Sequence, residues 1–155
     1  MKNYKEFCQK YSKKTNPISM KIQIKRLNDE FLMQAQNETQ NTIQMDSSTD
    51  GNPQGMSPMQ LLLAGIGGCS TIDIISILKK QRQDLHDISI SVDGERATEV
   101  PKVFTKIHIH YTLIGNLDKD KVQKAIDLSL ETYCSVSKML ERTAQISYSF
   151  QIQTP

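Results

Sequence analysis

Alternation of apolar and polar residues near the start of the chain predicts a meander of three strands. The first run has apolar residues at every second position, namely Ile18, Met20, Ile22 and Ile24. This two-residue period is typical of a half-buried strand. After polar turns, Phe31 to Ala35 and Ile43 to Met45 continue the same alternation as two further strands. The segment Asp46 to Met56 is rich in Ser, Asp, Gly and Pro, which predicts a mobile loop.

The segment after this loop carries the signals of a helix N-terminus. Ser57 suits the N-cap, Pro58 the first helical position, and Gln60 completes a capping box. Residues 61–72 include no charged side chain, so we expect a helix that is apolar on all sides and buried. The uncharged stretch is shorter than the ~20 apolar residues of a membrane span, and three glycines interrupt it. We therefore expect a core helix and no membrane contact.

The rest of the chain predicts two strands, a helix and a last strand. Residues 88–92 and 103–113 alternate and predict an antiparallel pair. Asp118 suits the N-cap of a second helix. One face of that helix would hold Val122, Ala125, Ile126, Ser129 and Tyr133. A short helical turn at residues 135–140 and a strand at residues 144–152 complete the order, which predicts an α+β fold with mainly antiparallel sheets.

The composition adds an expectation about assembly. The length of 155 residues is that of one ordinary domain, which we assign to residues 17–155 after a basic arm at residues 1–16. Only 37% of the residues are apolar and there is no Trp. This is lean for a monomer that fills its own core, so we expect a partner chain to cover part of the surface.

Charge and cysteine content exclude several classes of partner and compartment. Lys and Arg number 19 against 17 Asp and Glu, and a net charge of +2 gives no reason to expect nucleic acid or an anionic membrane. Three cysteines without a C-x-x-C pair fit a reducing compartment better than a disulfide framework. The first fourteen residues hold five Lys and one Glu, unlike a secretory signal. We expect a cytoplasmic protein.

Cys69 and Cys134 are the first candidates for chemistry. A cysteine in a buried apolar helix is most often an inert small hydrophobe. Cys69, however, is flanked by small residues that open space around its sulfur: Gly67, Gly68, Ser70 and Thr71. Cys134 lies at a predicted helix N-terminus, where the helix dipole favours a thiolate. From these residues alone, two structural thiols are the more common outcome and a redox pair is the alternative.

The histidines and the third cysteine are weaker candidates. His108 and His110 lie two apart on one face of a strand, which is a geometry for two metal ligands. They occupy the polar register of that strand and His86 adds no third ligand, so solvated surface histidines are the favoured interpretation. We therefore expect no metal site. Cys8 in the basic arm is expected to be an exposed thiol without a function.

Three segments resemble the OsmC/Ohr superfamily. SPMQLLLAGIGGCSTIDIISILKK at residues 57–80 resembles its central helix, VDGERATEVPKVFTKIHIHY at residues 92–111 the following hairpin, and YCSVSKML at residues 133–140 the second-cysteine segment. The match is closest to the branch that carries SPM and GGC. The resemblance implies an OsmC-like fold and an intertwined homodimer whose central helices pack between two sheets, with active sites at the interface.

The resemblance also implies a chemistry, which is thiol-dependent reduction of organic hydroperoxides. By motif, Cys69 corresponds to the peroxidatic residue and Cys134 to the resolving residue. No bound cofactor is expected, and an external dithiol would restore the reduced state. An apolar helix and interface would favour organic peroxides over hydrogen peroxide.

Two departures from the family pattern bear on reactivity. Well-characterised members have a Glu after the Pro of this motif, holding an Arg that stabilises the thiolate, whereas this chain has Met59. The preceding loop contains no arginine. Arg26 and Arg96 are the remaining candidates for a thiolate-stabilising role. The sequence therefore predicts a weak or differently tuned peroxidase, with the alternative of a non-peroxidatic dimer that binds an apolar ligand or a thiol compound in the interface cleft and keeps its cysteines for packing.

Overall fold

The computed structural model describes residues 19–47 and 51–155. These residues form two compact units, the first extending to Met56 and the second comprising Ser57–Pro155. The basic arm predicted at residues 1–16, with Cys8, lies outside the described residues. Its separation from a single domain at residues 17–155 stays a prediction.

The first unit is a three-stranded antiparallel sheet. Its strands are β1 (Ile22–Arg26), β2 (Met33–Asn37) and β3 (Thr42–Met45), in the order β1-β2-β3. The predicted meander is therefore confirmed. The Asn28 side-chain oxygen accepts hydrogen bonds from the backbone N–H groups of Glu30 and Leu32 at 3.0 and 3.1 Å. This side-chain turn holds residues 28–32 out of the sheet, so β2 begins at Met33 and not at Phe31 as predicted.

The loop after β3 is anchored at its start by a buried carboxylate. Asp46 accepts hydrogen bonds from the backbone N–H groups of Ser47 and Gln54, at 2.7 and 2.9 Å. Met56 pairs with Met45 in an isolated bridge. Both ends of the predicted loop are therefore tied to β3 through backbone groups.

The second unit begins with the predicted long helix, α1 (Pro58–Lys80). Ser57 Oγ accepts from the Gln60 N–H at 3.2 Å, and Gln60 Oε1 accepts from the Ser57 N–H at 2.8 Å, which completes the capping box. Lys79 and Lys80 lie in the last turn, where positive charge offsets the exposed carbonyls. The sequence signals at Ser57, Pro58 and Gln60 therefore located the start of this helix.

Only one face of α1 is covered within the single chain, so the expectation of burial on all sides is wrong at this level. Ile66, Ile74 and Leu78 are fully buried, whereas Ile72 is 68% exposed. Leu62 and Ile75 are also exposed. The sheet and helices of the second unit cover one side of α1, and its opposite apolar side has no cover from the described residues of this chain.

The length of α1 corrects the reason for excluding a membrane span. With 23 residues and a mean hydropathy of 1.9 in its most apolar window, α1 is the one helix in the described part of the chain that is long and apolar enough to cross a membrane. One such helix is weak evidence for a span, because core helices of water-soluble proteins share these properties. The packing of Ile66, Ile74 and Leu78 into a core with strands and helices supports a core helix.

The second sheet contains one parallel pairing. β4 (Asp84–Arg96) pairs antiparallel with β5 (Phe104–Asn116), and β6 (Gln145–Gln153) pairs parallel with β5. A helical connection separates β5 from β6 and returns the chain to the same end of the sheet, which parallel pairing requires. The predicted α+β class is confirmed, and the sheets are antiparallel in three of their four pairings.

The helical connection has three parts: α2 (Lys119–Leu128), a π-helical turn (Ser129–Tyr133) and α3 (Ser135–Leu140). Asp118 caps α2 as predicted, accepting from the Lys121 N–H at 2.9 Å. The Cys134 N–H donates to the Ser129 carbonyl at 2.8 Å, and this wider turn shifts the helix faces. Tyr133 is consequently 57% exposed, so its predicted place on the buried face is wrong.

Candidate active site

Cys69 lies on α1 beside two glycines with opposite surroundings. A Cβ atom at Gly67 would lie 3.0 Å from Val92 Cγ2, so the absence of a side chain lets α1 approach β4. A Cβ at Gly68 would meet no atom within 4 Å. Close approach is thus found at Gly67, whereas the open space expected from the small neighbours of Cys69 is found at Gly68, next to a partly exposed Cys69.

Cys134 lies at the N-cap of α3 and is fully buried. Its Sγ accepts a hydrogen bond from the Ser137 N–H at 3.4 Å. Burial is the main cause that raises the pKa of the Cys134 thiol to about 12, and the neighbouring Cys69 thiol raises it further, whereas the Ser137 N–H lowers it. The helix N-terminus predicted at Cys134 is present, but desolvation outweighs its stabilisation of a thiolate.

The two cysteines meet at a third side chain that the sequence analysis did not single out. Cys69 Sγ, Cys134 Sγ and a carboxylate oxygen of Asp73 all lie within 4.8 Å of one another. Asp73 follows Cys69 by four residues, so both side chains project from the same face of α1. This four-residue spacing was the signal available in the sequence. Asp73 entered the sequence analysis only as the charged residue that ends the uncharged stretch at residues 61–72.

A group of buried hydroxyls supports this cluster. Ser129 Oγ lies 3.2 Å from Asp73 Oδ2 and 3.3 Å from the Ser70 carbonyl oxygen, in donating geometry to both. Tyr111 donates its phenolic hydrogen to Ser70 Oγ at 2.8 Å. Burial raises the pKa of Tyr111 to about 12, and the hydrogen bond to Ser70 opposes part of that rise. The hydroxyls therefore connect α1 to β5 and to the π-helical turn next to the cysteines.

Each candidate cation has a partner within its own unit. Arg26 belongs to the first unit, at the end of β1, with a guanidinium nitrogen 4.0 Å from the Asp29 carboxylate. Arg96 donates from Nε to the Lys102 carbonyl at 2.7 Å, across the β4–β5 connection. Asp73 takes part in none of the ion pairs that the structure gives among the described residues. A thiolate-stabilising role for Arg26 or Arg96 stays a prediction.

His108 and His110 lie on the face of β5 opposite to the core and are partly buried. His108 is within 2.9 Å of the Ser147 and Ser149 hydroxyls, and His110 Nδ1 is 2.8 Å from Ser149 Oγ. Both imidazoles are thus hydrogen-bonded to serines of β6. They lie on the opposite face of β5 from the residues that pack into the core.

Comparison with known proteins shows the family to which this chain belongs. A family model described as OsmC-like protein matches residues 50–149. The chain belongs to the OsmC-like family. It is 44% identical over 106 residues to protein YhfA of Escherichia coli K12, a match that covers 66% of this chain and 79% of YhfA. The resemblance inferred from the three segments is confirmed.

Solved structures share the fold of this OsmC-like protein. A hypothetical protein from Aquifex aeolicus VF5 is 29% identical with a TM-score of 0.80, over 90% of this chain and 99% of that one. An organic hydroperoxide resistance protein from Legionella pneumophila is 15% identical with a TM-score of 0.66, over 88% and 99% of the two chains. The second likeness concerns the fold alone.

Proposed function

We propose that this OsmC-like protein is a thiol-dependent peroxidase that reduces organic hydroperoxides. The observation that carries the proposal is the pairing of two free thiols of unequal exposure, with sulfurs no more than 4.8 Å apart. Cys69 is partly exposed and would meet the substrate, whereas Cys134 is fully buried and would act second. The substrate class is the one implied by the family resemblance, and a Legionella pneumophila protein of the same fold is named for organic hydroperoxide resistance.

The reaction would proceed in three balanced steps. The Cys69 thiolate attacks the terminal oxygen of the hydroperoxide, the O–O bond breaks, and the alkoxide takes a proton to leave as the alcohol, with Cys69 oxidised to a sulfenic acid. The Cys134 sulfur then displaces water from the sulfenic acid and forms a disulfide. An external dithiol reduces that disulfide and is itself oxidised. Rotation of the two side chains must close the sulfurs to the ~2.05 Å of a disulfide bond.

The residue types at the family's charged positions favour a slow first step. The family resemblance implies a thiolate-stabilising arginine held by a glutamate, and this chain has Met59 at the position of that glutamate. Met59 carries no charge and cannot hold a cation. We therefore propose a weaker or differently tuned peroxidase than members that retain the Glu–Arg pair.

We also propose that the active form is a cytoplasmic homodimer. Leu62, Ile72 and Ile75 expose apolar surface on α1, and water-exposed patches of this kind mark protein interfaces. A second copy of the chain would cover them and account for the low apolar content. Free Cys69 and Cys134 suit a reducing compartment.

A single-turnover experiment tests the peroxidase proposal. Reduced wild type, Cys69→Ser, Cys134→Ser and the control Cys8→Ser are mixed with cumene hydroperoxide or hydrogen peroxide, and free thiols are counted over time. We expect wild type and Cys8→Ser to lose two thiols per chain and to react at least tenfold faster with the organic peroxide. We expect no rapid loss in Cys69→Ser and a trappable sulfenic acid in Cys134→Ser. Loss of thiols in wild type no faster than the oxidation of an ordinary free cysteine would contradict the proposal.

The burial of Cys134 also favours a second candidate, a non-peroxidatic dimer that binds an apolar ligand or a thiol compound. Burial raises the pKa of the Cys134 thiol to about 12, which is the property of a structural cysteine, and packing alone would then retain both thiols. In that case Cys69→Ser and Cys134→Ser would leave ligand binding within about twofold of wild type, and thiol oxidation would be slow in every variant.

A further inference from the structure

The cysteine pair and Asp73 form a convergent set of metal-ligating atoms. Among residues 19–47 and 51–155, these three side chains form the group of His, Cys, Asp or Glu residues whose ligand atoms lie within 4.8 Å of one another. The ligands come from two elements, Cys69 and Asp73 from α1 and Cys134 from the start of α3. Two of them are sulfur atoms and one is a carboxylate oxygen.

The chemistry and spacing of these atoms fit a soft divalent cation. Tetrahedral Zn²⁺ has Zn–S distances near 2.3 Å and Zn–O distances of about 2.0–2.2 Å, which places neighbouring ligand atoms roughly 3.5–3.8 Å apart. Because the ligand atoms lie within 4.8 Å of one another, a contraction of at most about 1.3 Å is needed, which side-chain rotation can supply. Thiolate ligands select Zn²⁺ and related thiophilic ions over Mg²⁺ or Ca²⁺.

The surroundings of the three ligands are arranged as an outer shell. The Ser129 hydroxyl lies in hydrogen-bond reach of Asp73 Oδ2, so it does not occupy the other carboxylate oxygen of Asp73. The Ser137 N–H donates to Cys134 Sγ, an arrangement that stabilises a ligating thiolate. Such outer hydrogen bonds orient metal ligands. Asp73 is in none of the ion pairs given for residues 19–47 and 51–155, and its carboxylate is held by the hydroxyl of Ser129.

We propose that Cys69, Asp73 and Cys134 bind a thiophilic divalent cation of the Zn²⁺ class in the reduced protein, with the fourth position left to water or an added ligand. Three protein ligands and one open position form the arrangement of a reactive zinc site, whereas structural sites are closed by four ligands. The sequence alone did not predict this site, because the adjacent pair of potential ligands along the chain is His108 and His110, and these lie on the face of β5 opposite to the core. The fold brings together Asp73 and Cys134, which are 61 residues apart (134 minus 73).

This proposal does not depend on peroxidase activity, although both use the same sulfurs. A metal-bound thiolate is held away from peroxide until the metal leaves, and a disulfide removes two of the three ligands. Metal binding is therefore expected only in the reduced protein. Zn²⁺ should slow the loss of thiols in peroxide if both proposals hold.

Cobalt titration of the full-length protein tests the metal site. Reduced, metal-free protein at micromolar concentration is titrated with Co²⁺ without oxygen, and the thiolate-to-cobalt and d–d absorption bands are recorded. We expect one Co²⁺ per chain with four-coordinate bands, displacement by Zn²⁺, and no thiolate band after the disulfide is formed. Cys69→Ser and Cys134→Ser should each weaken binding at least a hundredfold and Asp73→Asn at least tenfold.

Two controls decide whether the signal comes from this site. Asp93→Asn changes an exposed carboxylate on β4, and Cys8→Ser removes the thiol of the basic arm; neither should change the affinity by more than twofold. No thiolate band at stoichiometric Co²⁺, or a band that survives in Cys69→Ser, would overturn the proposal. Cobalt binding without peroxide reactivity would contradict the peroxidase proposal and support the metal site. Peroxide reactivity without cobalt binding would contradict the metal site and support the peroxidase proposal.

Discussion

Tyr111 donates a 2.8 Å hydrogen bond to the hydroxyl of Ser70, the residue that follows Cys69 on α1. Both residues are fully buried. The bond joins the centre of β5 to the helical turn that carries the candidate reactive sulfur. The position of Cys69 is therefore fixed by the sheet as well as by its own helix.

Removal of this hydrogen bond should lower the free energy of unfolding. Tyr111→Phe keeps the ring and removes the donor, and a typical buried hydrogen bond contributes about 1 kcal/mol. Ser70 Oγ retains its bond to the Gly67 carbonyl at 3.1 Å, which limits the loss. Urea denaturation measures the difference, with Tyr133→Phe as the control because Tyr133 is exposed. Equal midpoints for the two variants would show that the Tyr111 hydroxyl contributes nothing.

The two cysteines of the cluster should differ in reactivity toward an alkylating reagent. Cys69 is partly exposed, whereas Cys134 is fully buried with a thiol pKa raised to about 12. Because only the thiolate reacts, alkylation of Cys134 in the native protein should stay slow at pH 8 and rise with pH towards 12. Peptide mass spectrometry after brief iodoacetamide treatment measures both sites, with urea-unfolded protein as the control. Equal labelling of the two sites in the native protein would contradict the burial of Cys134.

The neighbouring glycines of α1 should respond differently to alanine. Replacement of a helical glycine by alanine stabilises by about 1 kcal/mol where space allows. Within the single chain, Gly68→Ala meets open space and should gain most of that amount, whereas Gly67→Ala places a Cβ 3.0 Å from Val92 Cγ2 and should gain less or lose stability, so the pair is compared in an Ile72→Lys background that keeps the chain monomeric. Thermal unfolding of the pair decides the order. A more stable Gly67→Ala than Gly68→Ala would contradict the close packing of α1 on β4.

Local signals in the sequence were sufficient for most elements of the fold. The capping box at Ser57 and the N-cap at Asp118 depend on residues three positions apart, and both helices begin where predicted. The position of Tyr133 was not predictable in this way. Its exposure depends on a π-helical turn, and helical periodicity of 3.6 residues does not anticipate the wider turn.

The candidate site was only partly predictable for a related reason. Cys69 and Cys134 carried local cues, small neighbours and a helix start, and the family resemblance paired them. Asp73 carried no cue of its own beyond its spacing from Cys69. Its meeting with Cys134 arises from tertiary packing of α1 against the helical connection, which periodicity along the chain does not encode.

Charge introduced on the uncovered side of α1 should separate the proposed dimer. Ile72 is 68% exposed in the single chain, so Ile72→Lys should change the stability of the monomer little. In a dimer that covers this side, an unpaired charge at the interface costs more than about 1.4 kcal/mol, which corresponds to at least a tenfold higher dissociation constant. Light scattering after size exclusion at several concentrations measures the change in dissociation constant. Ser91→Lys, at an exposed position of β4, is the control. A wild-type monomer at all concentrations, or a dimer unaffected by Ile72→Lys, would mean that this side of α1 is not the interface between two copies.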